Sequence, residues 1–383
     1  LVKGIFYELF LVLLTASVFA QTPATKTSEV QAGTNQTAGS LLNVVREPVR
    51  VPKFSESPVI DGKPDEAVWK SAAVLRDLIQ TYPGDHTAPS KETEMYIGYD
   101  EKHLYLAFKC FDEKDKIRAT VAQRDGVFSE DNVRVWLDTY DDQRRAYILG
   151  FNPFGIQADG IYTEGQGQDF NLDILMESKG VIEDWGWSVE VKIPFKSLRY
   201  SAGKGKSWGF SFARNIDRFD DEFDSWVPLP RGNPGLLNKF GKLTGLDEIK
   251  TERTLEIIPT LTLKETGTRT DQTKFSNPPV EPDFGFTAKF SITPNITLDA
   301  AYNPDFADTE ADAPVVEANQ RFPIFFAEKR PFFLEGVDIF RTPIQAVYTR
   351  RVENPDVALK LTGKVGKNSF GVFAAIDEPL FNP

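Results

Sequence analysis

Short apolar runs separated by turn-forming residues recur between residues 50 and 250, and this pattern constrains the fold more than any other feature. The candidate strands are Glu94–Tyr99, His103–Phe111, Val133–Leu137, Arg145–Phe151, Phe170–Met176, Trp187–Ile193 and Trp208–Asn215. Clusters of Gly, Pro, Asn and Asp separate them. Short strands separated by such turn-forming residues indicate an antiparallel β-sandwich. The helical signal is weak: Asp65 to Ala72 predicts one or two turns, with Asp65 as the N-cap.

Composition excludes several classes of function. The 383 residues contain 44 Lys and Arg against 56 Asp and Glu, so the net charge is −12. This acidity argues against a nucleic-acid partner, because such a binder needs a basic face to neutralise phosphate. Two His and one Cys argue against a His- or Cys-rich metal centre and against an internal disulfide. We expect Cys110, in an apolar run, to be a buried small hydrophobe.

The N-terminus has the pattern of a secretory signal peptide. Lys3 precedes an apolar stretch from Ile5 to Leu14, and Val18 and Ala20 suit cleavage after Ala20. The stretch is shorter than the roughly 20 residues that a transmembrane helix needs, although an N-terminal membrane anchor is the alternative. We therefore expect a signal peptide over residues 1–20. Residues 21–49 are mostly polar and aperiodic, which predicts a disordered linker.

Several motifs, in order along the chain, resemble family 9 carbohydrate-binding modules. They are Val59–Trp69, Tyr99–Leu106, Glu130–Asp138, Gly186–Pro194 and Ser225–Pro228. The resemblance covers about residues 55–248. It implies a two-sheet antiparallel jelly-roll β-sandwich over residues 50–250, a carbohydrate ligand, and an activity that is binding rather than cleavage.

The resemblance also implies a binding site. Such modules clamp a sugar between two aromatic faces, on which sugar C–H groups pack. Phe128 matches one clamp position, whereas Arg231–Leu237, the loop that corresponds to the second, has no aromatic residue. Arg134 stands where the family has a sugar-contacting Glu. We therefore take Phe128 and Arg134 as ligand-binding candidates, with simple packing and a solvated strand charge as their alternatives. We expect the core to contain Trp69, Trp136, Trp187 and Trp226.

Acidic residues support two weaker hypotheses. A glycoside hydrolase needs two carboxylates roughly 5–10 Å apart, and Asp159 and Glu164 could form such a pair. Among 56 acidic residues, however, clusters on a solvated face also arise by chance. Jelly-roll modules often hold a structural Ca²⁺, which Asp61, Asp100 or Asp138 could ligate, although no loop has EF-hand spacing. We expect no other cofactor and see no catalytic constellation.

Beyond residue 250 the strands become longer and strictly alternating. The runs are Leu255–Leu263, Phe284–Ile292, Ile296–Tyr302, Val357–Val365 and Phe370–Ile376. One apolar and one polar face per strand is typical of a transmembrane β-barrel, although the period alone also fits a second soluble sheet. The smallest barrels need eight strands. We therefore expect residues 251–383 to be the N-terminal part of a partial, outer-membrane type β-barrel domain that continues further.

One segment between these runs carries a second resemblance. Glu328–Gly336 has an unusual charged and aromatic string that resembles a domain of unknown function found after family 9-like modules in Gram-negative outer-membrane proteins. This implies outer-membrane lipid as a partner and a periplasmic sandwich. The charges of Glu328, Lys329 and Arg330 between phenylalanines predict a packed segment with a fixed ion network. It could plug a lumen or seat the sandwich on the barrel mouth.

Together these patterns predict an exported cell-envelope protein. Its sandwich would bind carbohydrate and serve polysaccharide breakdown or uptake. Two alternatives remain open at this point. One is a hydrolase acting on O-glycosyl bonds, and the other is a transport or assembly barrel for which the sandwich is a periplasmic adaptor.

Overall fold

The chain forms two compact units in a computed structural model. The sandwich unit comprises residues 24–251, and the second unit comprises residues 1–23 with 252–383. The structure describes residues 8–15, 44–170, 172–201, 203–229, 235–249, 253–265, 267–269, 275–276, 279–304, 328, 330–334, 336, 339–340, 346–352, 355–366 and 368–377.

Strands dominate both units, so the protein is all-β, as the sequence predicted. In chain order they are β1 Glu8–Thr15, β2 Val49–Arg50, β3 Ala73–Leu75, β4 Ile79–Tyr82, β5 Thr93–Tyr99, β6 His103–Phe111, β7 Asn132–Asp138, β8 Arg145–Phe151, β9 Gln157–Thr163, β10 Gly167–Asp169, β11 Glu177–Glu183, β12 Gly186–Pro194, β13 Trp208–Ile216, β14 Glu222–Ser225, β15 Gly241–Thr244, β16 Leu255–Lys264, β17 Thr268–Arg269, β18 Phe275–Ser276, β19 Glu281–Thr293, β20 Ile296–Tyr302, β21 Pro355–Val365 and β22 Asn368–Asp377. The described helices are short: 3-10 turns at Ala67–Ser71, Lys114–Lys116, Val127–Ser129, Phe195–Ser197, Leu237–Lys239 and Thr349–Arg351, and one α-helix, α1, at Pro331–Leu334.

Two sheets pack face to face in the sandwich unit. The larger has nine strands, in the order β10-β9-β8-β7-β13-β14-β4 with β15 and β2 attached beside β13, and the smaller has five, in the order β11-β12-β6-β5-β3. The rings of Phe108 on β6 and Phe212 on β13 meet between them at 6.2 Å. Phe212 is paired with Val135 on β7. Because side chains alternate along a strand, Arg134 and Trp136 lie on the opposite face of the larger sheet, which we call the outer face.

Most predicted strands of the sandwich are confirmed, and one is wrong. Of the strand predicted over Phe170–Met176, the described residues, Phe170 and 172–176, lie in no strand, and the neighbouring strands along the chain are β10 and β11. Side chains bind the backbone there: Asp159 accepts a hydrogen bond from the Ile174 N–H, and the Gln157 amide donates to the Met176 carbonyl at 3.2 Å. Two backbone groups of this segment are therefore bonded to side chains rather than to a strand partner.

The helix predicted near residue 65 is a single 3-10 turn whose N-cap differs from our expectation. It spans Ala67–Ser71, and Glu66 rather than Asp65 occupies the N-cap position without a side-chain capping bond. The Asp65 N–H is bonded to the Lys63 carbonyl in the preceding turn at 2.7 Å. That turn places Asp65 one residue too early to cap the helix.

A buried carboxylate explains the opening motif of the sandwich. Glu190 on β12 accepts hydrogen bonds from the backbone N–H groups of Asp61 and Gly62 at 3.0 and 2.8 Å. It also accepts one from the indole Nε1 of Trp69 at 2.8 Å. Gly62 has a φ of +94°, and a Cβ there would lie 2.7 Å from a methyl group of Val181. The Asp-Gly turn and the later Trp are therefore a structural anchor.

The residues that the sequence predicted for the core of the sandwich are buried there. Trp69, Trp136, Trp187 and Trp226 are all buried. Cys110 is a free, buried thiol whose pKa is raised to about 12 by burial, so it remains protonated and packs as a small apolar group.

The second unit contains an antiparallel sheet of six strands in the order β1-β22-β21-β20-β19-β16. All five alternating runs predicted beyond residue 250 are strands of this sheet. Among the described residues the sheet is open, with β1 and β16 as its edges. The signal-peptide stretch supplies β1, whose backbone pairs with β22, and cleavage after Ala20 stays a prediction. No described helix is long and apolar enough to span a membrane.

Strand register brings the apolar residues of these runs onto one surface, which we call the apolar face. One row across five strands consists of Ile257, Ala288, Ala300, Leu359 and Ala374. Exposed large side chains of this face include Leu359 at 45% and Ile257 at 59%. Other exposed members are Leu255, Leu261, Leu263 and Phe284.

The opposite face of the same sheet carries charges. Glu256, Lys289, Asp299 and Lys360 lie opposite one another on four successive strands. Lys360 and Asp299 are both buried, and the Lys360 Nζ is 3.5 Å from the Asp299 carboxylate. Lys360 also donates to the carbonyl of Phe332. This sheet therefore buries the Lys360–Asp299 pair on one side and exposes apolar side chains on the other.

Described residues between positions 328 and 352, among them Phe332 and Phe333, pack against this charged face. Arg330 donates to both carboxylate oxygens of Glu328 at 2.8 Å and to the Val352 carbonyl at 2.7 Å. The Arg330 Cζ lies 4.1 Å from the ring centroid of Phe333, which packs edge-on against Phe373 of β22. The predicted packed segment with an ion network is confirmed for Glu328 and Arg330. Lys329 lies outside the described residues.

Candidate functional site

Phe128 and Arg134, the two candidates chosen from the sequence, contact each other. Phe128 lies in the 3-10 turn Val127–Ser129 that precedes β7, and Arg134 lies at the centre of β7. The Arg134 Cζ is 4.5 Å from the centroid of the Phe128 ring. Both side chains are half-buried on the outer face of the larger sheet. The two candidates therefore belong to one patch.

Two further phenylalanines extend this patch. The ring centroid of Phe170 is 5.0 Å from that of Phe128. Phe223 on β14 is also close to the guanidinium, with its ring centroid 5.6 Å from the Arg134 Cζ. Both rings are half-buried. We call Phe128, Arg134, Phe170 and Phe223 the Arg–Phe patch.

Small residues on the neighbouring strands make room for the patch. Arg134 stands opposite Gly150 on β8 and Ala213 on β13. A Cβ at position 150 would lie 2.5 Å from the Phe128 ring, so any larger residue would displace that ring. The 3-10 turn can therefore lay Phe128 directly on the sheet.

The Arg134 guanidinium has no carboxylate in contact with it among the described residues. Its Nε donates to the Asn132 side-chain oxygen at 2.9 Å, and Nη2 makes a long contact of 3.5 Å with the Phe128 carbonyl. Burial lowers the pKa of Arg134 to about 10, and the charge of Asp221 partly opposes this shift. The group stays charged at neutral pH, so the patch contains a desolvated cation without a direct counterion.

Asn132 holds the guanidinium in place. The Asn132 side-chain N–H donates to the Glu130 carbonyl at 2.6 Å, which leaves its oxygen facing Arg134. The Glu130 carboxylate is fixed in turn by the Asn152 amide and the Thr120 N–H, both at 2.7 Å. The acidic and amide residues before Arg134 therefore orient it.

The structure keeps the two hydrolase candidates apart. Asp159 is buried on β9, where it accepts a hydrogen bond from Arg124 at 2.5 Å and burial raises its pKa to about 6. Glu164 accepts the backbone N–H groups of residues 236–237 at 3.0 and 2.9 Å. Five residues along a strand span about 16 Å, beyond the roughly 5–10 Å of a glycosidase pair. Each carboxylate has a structural partner, and together they form no catalytic pair.

Each of the three carboxylates considered for Ca²⁺ accepts hydrogen bonds at a backbone turn. Asp61 and Asp138 accept backbone N–H groups of the residues that follow them. Burial acts to raise the pKa of Asp100, but hydrogen bonds from Tyr105 and from the N–H groups of Lys102 and His103 outweigh it and lower the pKa to about 2. Across the described part of the chain, no group of three or more His, Cys, Asp or Glu residues could hold a metal ion.

Sequence reasoning missed Phe223 and misplaced Phe170. Phe223 lies in a strand of four residues, which is too short for alternation to be recognised. Phe170 was assigned to a strand that does not form, because its apolar neighbours suggested one. Residues 231–234, in the loop matched to the second aromatic of the clamp, lie outside the described residues.

Comparisons with known proteins bear on both units. Residues 60–229 match a family described as carbohydrate family 9 binding domain-like, which confirms the resemblance of the sandwich. Residues 256–367 match a domain of unknown function, DUF5916. No curated protein matches the chain.

Solved structures similar to the sandwich include proteins from two bacteria. A family 9 carbohydrate-binding module from Caldicellulosiruptor kristjanssonii in complex with cellotriose is 17% identical, with 51% of this chain and 93% of that chain covered and a TM-score of 0.39. A family 9 module from the same organism in complex with glucose is 16% identical, covering 52% and 95%, with a TM-score of 0.40. A Bacteroides uniformis protein described as carbohydrate-binding is 16% identical, covering 51% and 98%, with a TM-score of 0.42.

Proposed function

We propose that the sandwich unit binds carbohydrate at the Arg–Phe patch. The observation that carries this proposal is the combination of three half-buried aromatic rings with a half-buried cation on one sheet face. Sugar C–H groups pack on aromatic rings, and sugar oxygens accept hydrogen bonds from a guanidinium. The match of residues 60–229 to a carbohydrate-binding family supports the same function.

Removal of the Phe128 ring tests the proposal. We expect Phe128→Leu to lower the affinity of the full chain for its best saccharide about 10-fold or more, because Leu keeps apolar contact with Gly150 but offers no flat ring. The measurement is a glycan-array screen followed by titration calorimetry on the best hit. Phe154→Ala is the matched control, since Phe154 is an exposed ring outside the patch. Absence of binding by the wild type to every glycan would remove the proposal.

We also propose that the second unit associates with a lipid bilayer through its apolar face. The strands β16, β19, β21 and β22 have 10 to 13 residues, and a membrane-spanning strand needs about 9–11. The burial of Lys360 and Asp299 beneath an exposed apolar face fits strands that turn apolar side chains to lipid and polar ones inward. With the signal-peptide pattern, this supports an exported envelope protein, and we propose that its carbohydrate-binding sandwich serves polysaccharide breakdown or uptake.

A charge placed on the apolar face tests the membrane proposal. We expect Leu261→Lys to lower the vesicle partition coefficient of the full chain by roughly 30-fold or more, because Lys facing lipid costs about 2–4 kcal/mol near the bilayer midplane. The measurement is flotation with phosphatidylethanolamine and phosphatidylglycerol vesicles. Val59→Lys, at an exposed apolar residue of the sandwich unit, should float like the wild type. Equal flotation of all three proteins would contradict the proposal.

A further inference from the structure

The Arg134 guanidinium has more hydrogen-bond donors than the protein uses. A guanidinium carries five N–H groups in a planar fork. Among the described residues, only the Asn132 oxygen accepts one at normal distance, and the Phe128 carbonyl is 3.5 Å away. The side chain is half-buried, so the remaining donors are not all sealed inside the protein. They are available to a ligand that lies on the patch.

The surroundings of the guanidinium favour an anion. Two phenyl rings lie near it, at 4.5 and 5.6 Å from the Cζ, and Gly150 and Ala213 on the neighbouring strands supply no polar side chain. A cation removed from water in this way gains most from a ligand that brings its own negative charge. A carboxylate is the best geometric match, because its two oxygens can accept two parallel N–H groups of the fork.

We propose that the ligand of the Arg–Phe patch is an acidic saccharide, in which a uronic-acid carboxylate pairs with Arg134 while the sugar ring lies against the phenylalanines. This inference rests on the proposed carbohydrate-binding function and narrows it to one chemical class. Asn132 acts as a positioning residue, since its oxygen holds the Nε of Arg134 and fixes the direction of the fork. The phenyl rings supply contact for the C–H face of the sugar.

Asp221 is the one described acidic group whose charge acts on Arg134. It lies between β13 and β14, is exposed, and is held by the Asn215 amide at 3.3 Å. It forms no ion pair with Arg134. A bound carboxylate would be repelled by Asp221 and attracted by Arg134. The two residues therefore provide substitutions with opposite expected effects on the same ligand.

The test compares acidic oligosaccharides with neutral ones of the same linkage. Oligomers containing galacturonic, glucuronic or mannuronic acid, each paired with its carboxyl-reduced counterpart, are titrated into the full chain by calorimetry. We expect the wild type to bind at least one acidic oligomer 10-fold or more tightly than its reduced form. Arg134→Gln should weaken binding of both forms, because it removes donors to sugar oxygens, but it should weaken the acidic form more, so that the ratio of the two affinities falls to about 1.

Two further variants separate charge from structure. Arg134→Lys keeps the charge but loses the fork, so an intermediate preference is expected. Asp221→Asn should raise affinity for the acidic oligomer about 2-fold at low salt and less at high salt. A wild type that prefers the reduced oligomers, or an Arg134→Gln variant that retains the acidic preference, would overturn this inference and leave carbohydrate binding standing. Absence of binding to both kinds of oligomer, and to every other glycan, would overturn both.

Discussion

Replacement of Glu190 by Ala should destabilise the sandwich unit by about 3–5 kcal/mol. Glu190 is fully buried and accepts the N–H groups of Asp61, Gly62 and the Trp69 indole. Its loss leaves these donors buried without an acceptor, each at a cost of about 1–3 kcal/mol. It also frees the first turn of the domain from β12.

Urea unfolding followed by Trp fluorescence measures this effect in the full chain. All six Trp residues lie in the sandwich unit, namely Trp69, Trp136, Trp185, Trp187, Trp208 and Trp226. The fluorescence signal therefore reports the unfolding of that unit. We expect the midpoint to fall by roughly 1–2 M urea. Glu177→Ala is the matched control, because Glu177 forms an exposed ion pair with Lys192 that contributes less than about 1 kcal/mol. A Glu190→Ala midpoint equal to that of the control would refute the anchor.

Replacement of Asp224 by Asn should make the sandwich unit less sensitive to alkaline pH. Asp224 is fully buried on β14, and neither carboxylate oxygen has a hydrogen-bond partner among the described residues. Burial raises the pKa of Asp224 to about 8, the charge of Glu222 acts in the same direction, and Arg214 opposes both. Asp224 is therefore mostly protonated at neutral pH.

The direction of the pH effect follows from this raised pKa. In the unfolded chain Asp224 has its ordinary pKa of 3.8, whereas in the folded protein it keeps its proton up to about pH 8. The contribution of this group to the free energy of unfolding is therefore complete below pH 3.8 and is lost as the pH rises through about 8. Between pH 5 and pH 9 the wild type should lose up to about 4 kcal/mol more than Asp224→Asn, which cannot titrate. Urea midpoints at pH 5, 7 and 9 measure the difference. Asp65→Asn, at an exposed position, serves as the control and should follow the wild type. Parallel midpoints for Asp224→Asn and the wild type would contradict the raised pKa.

The strands that sequence could predict are those with one clearly apolar face. Arg145–Phe151 and Ile296–Tyr302 have the predicted bounds, because alternation and turn residues define both ends. Phe170–Met176 has a similar composition but is tied down by the side chains of Asp159 and Gln157. Because such contacts join residues that are distant in sequence, no local sequence pattern predicts them.

In the candidate site, too, the sequence predicted some residues and missed others. Phe128 and Arg134 were chosen because they match positions of a known family, and the structure brings them within 4.5 Å. Phe223 and Phe170 join them only through the pairing of β14 with β13 and through an irregular segment after β10. Neither this strand pairing nor the irregular segment produces a periodic pattern of apolar residues in the sequence. The cationic, aromatic character of the patch therefore became visible only in three dimensions.

Saturation-transfer NMR on the full chain with its best-binding saccharide tests the central claim most directly. If sugar lies on the Arg–Phe patch, saturation of protein aromatic protons should pass most strongly to the ring C–H protons of one sugar unit, and Phe128→Leu should remove that pattern. A saccharide that binds with the same transfer pattern in the wild type and in Phe128→Leu would place the carbohydrate site elsewhere on the molecule.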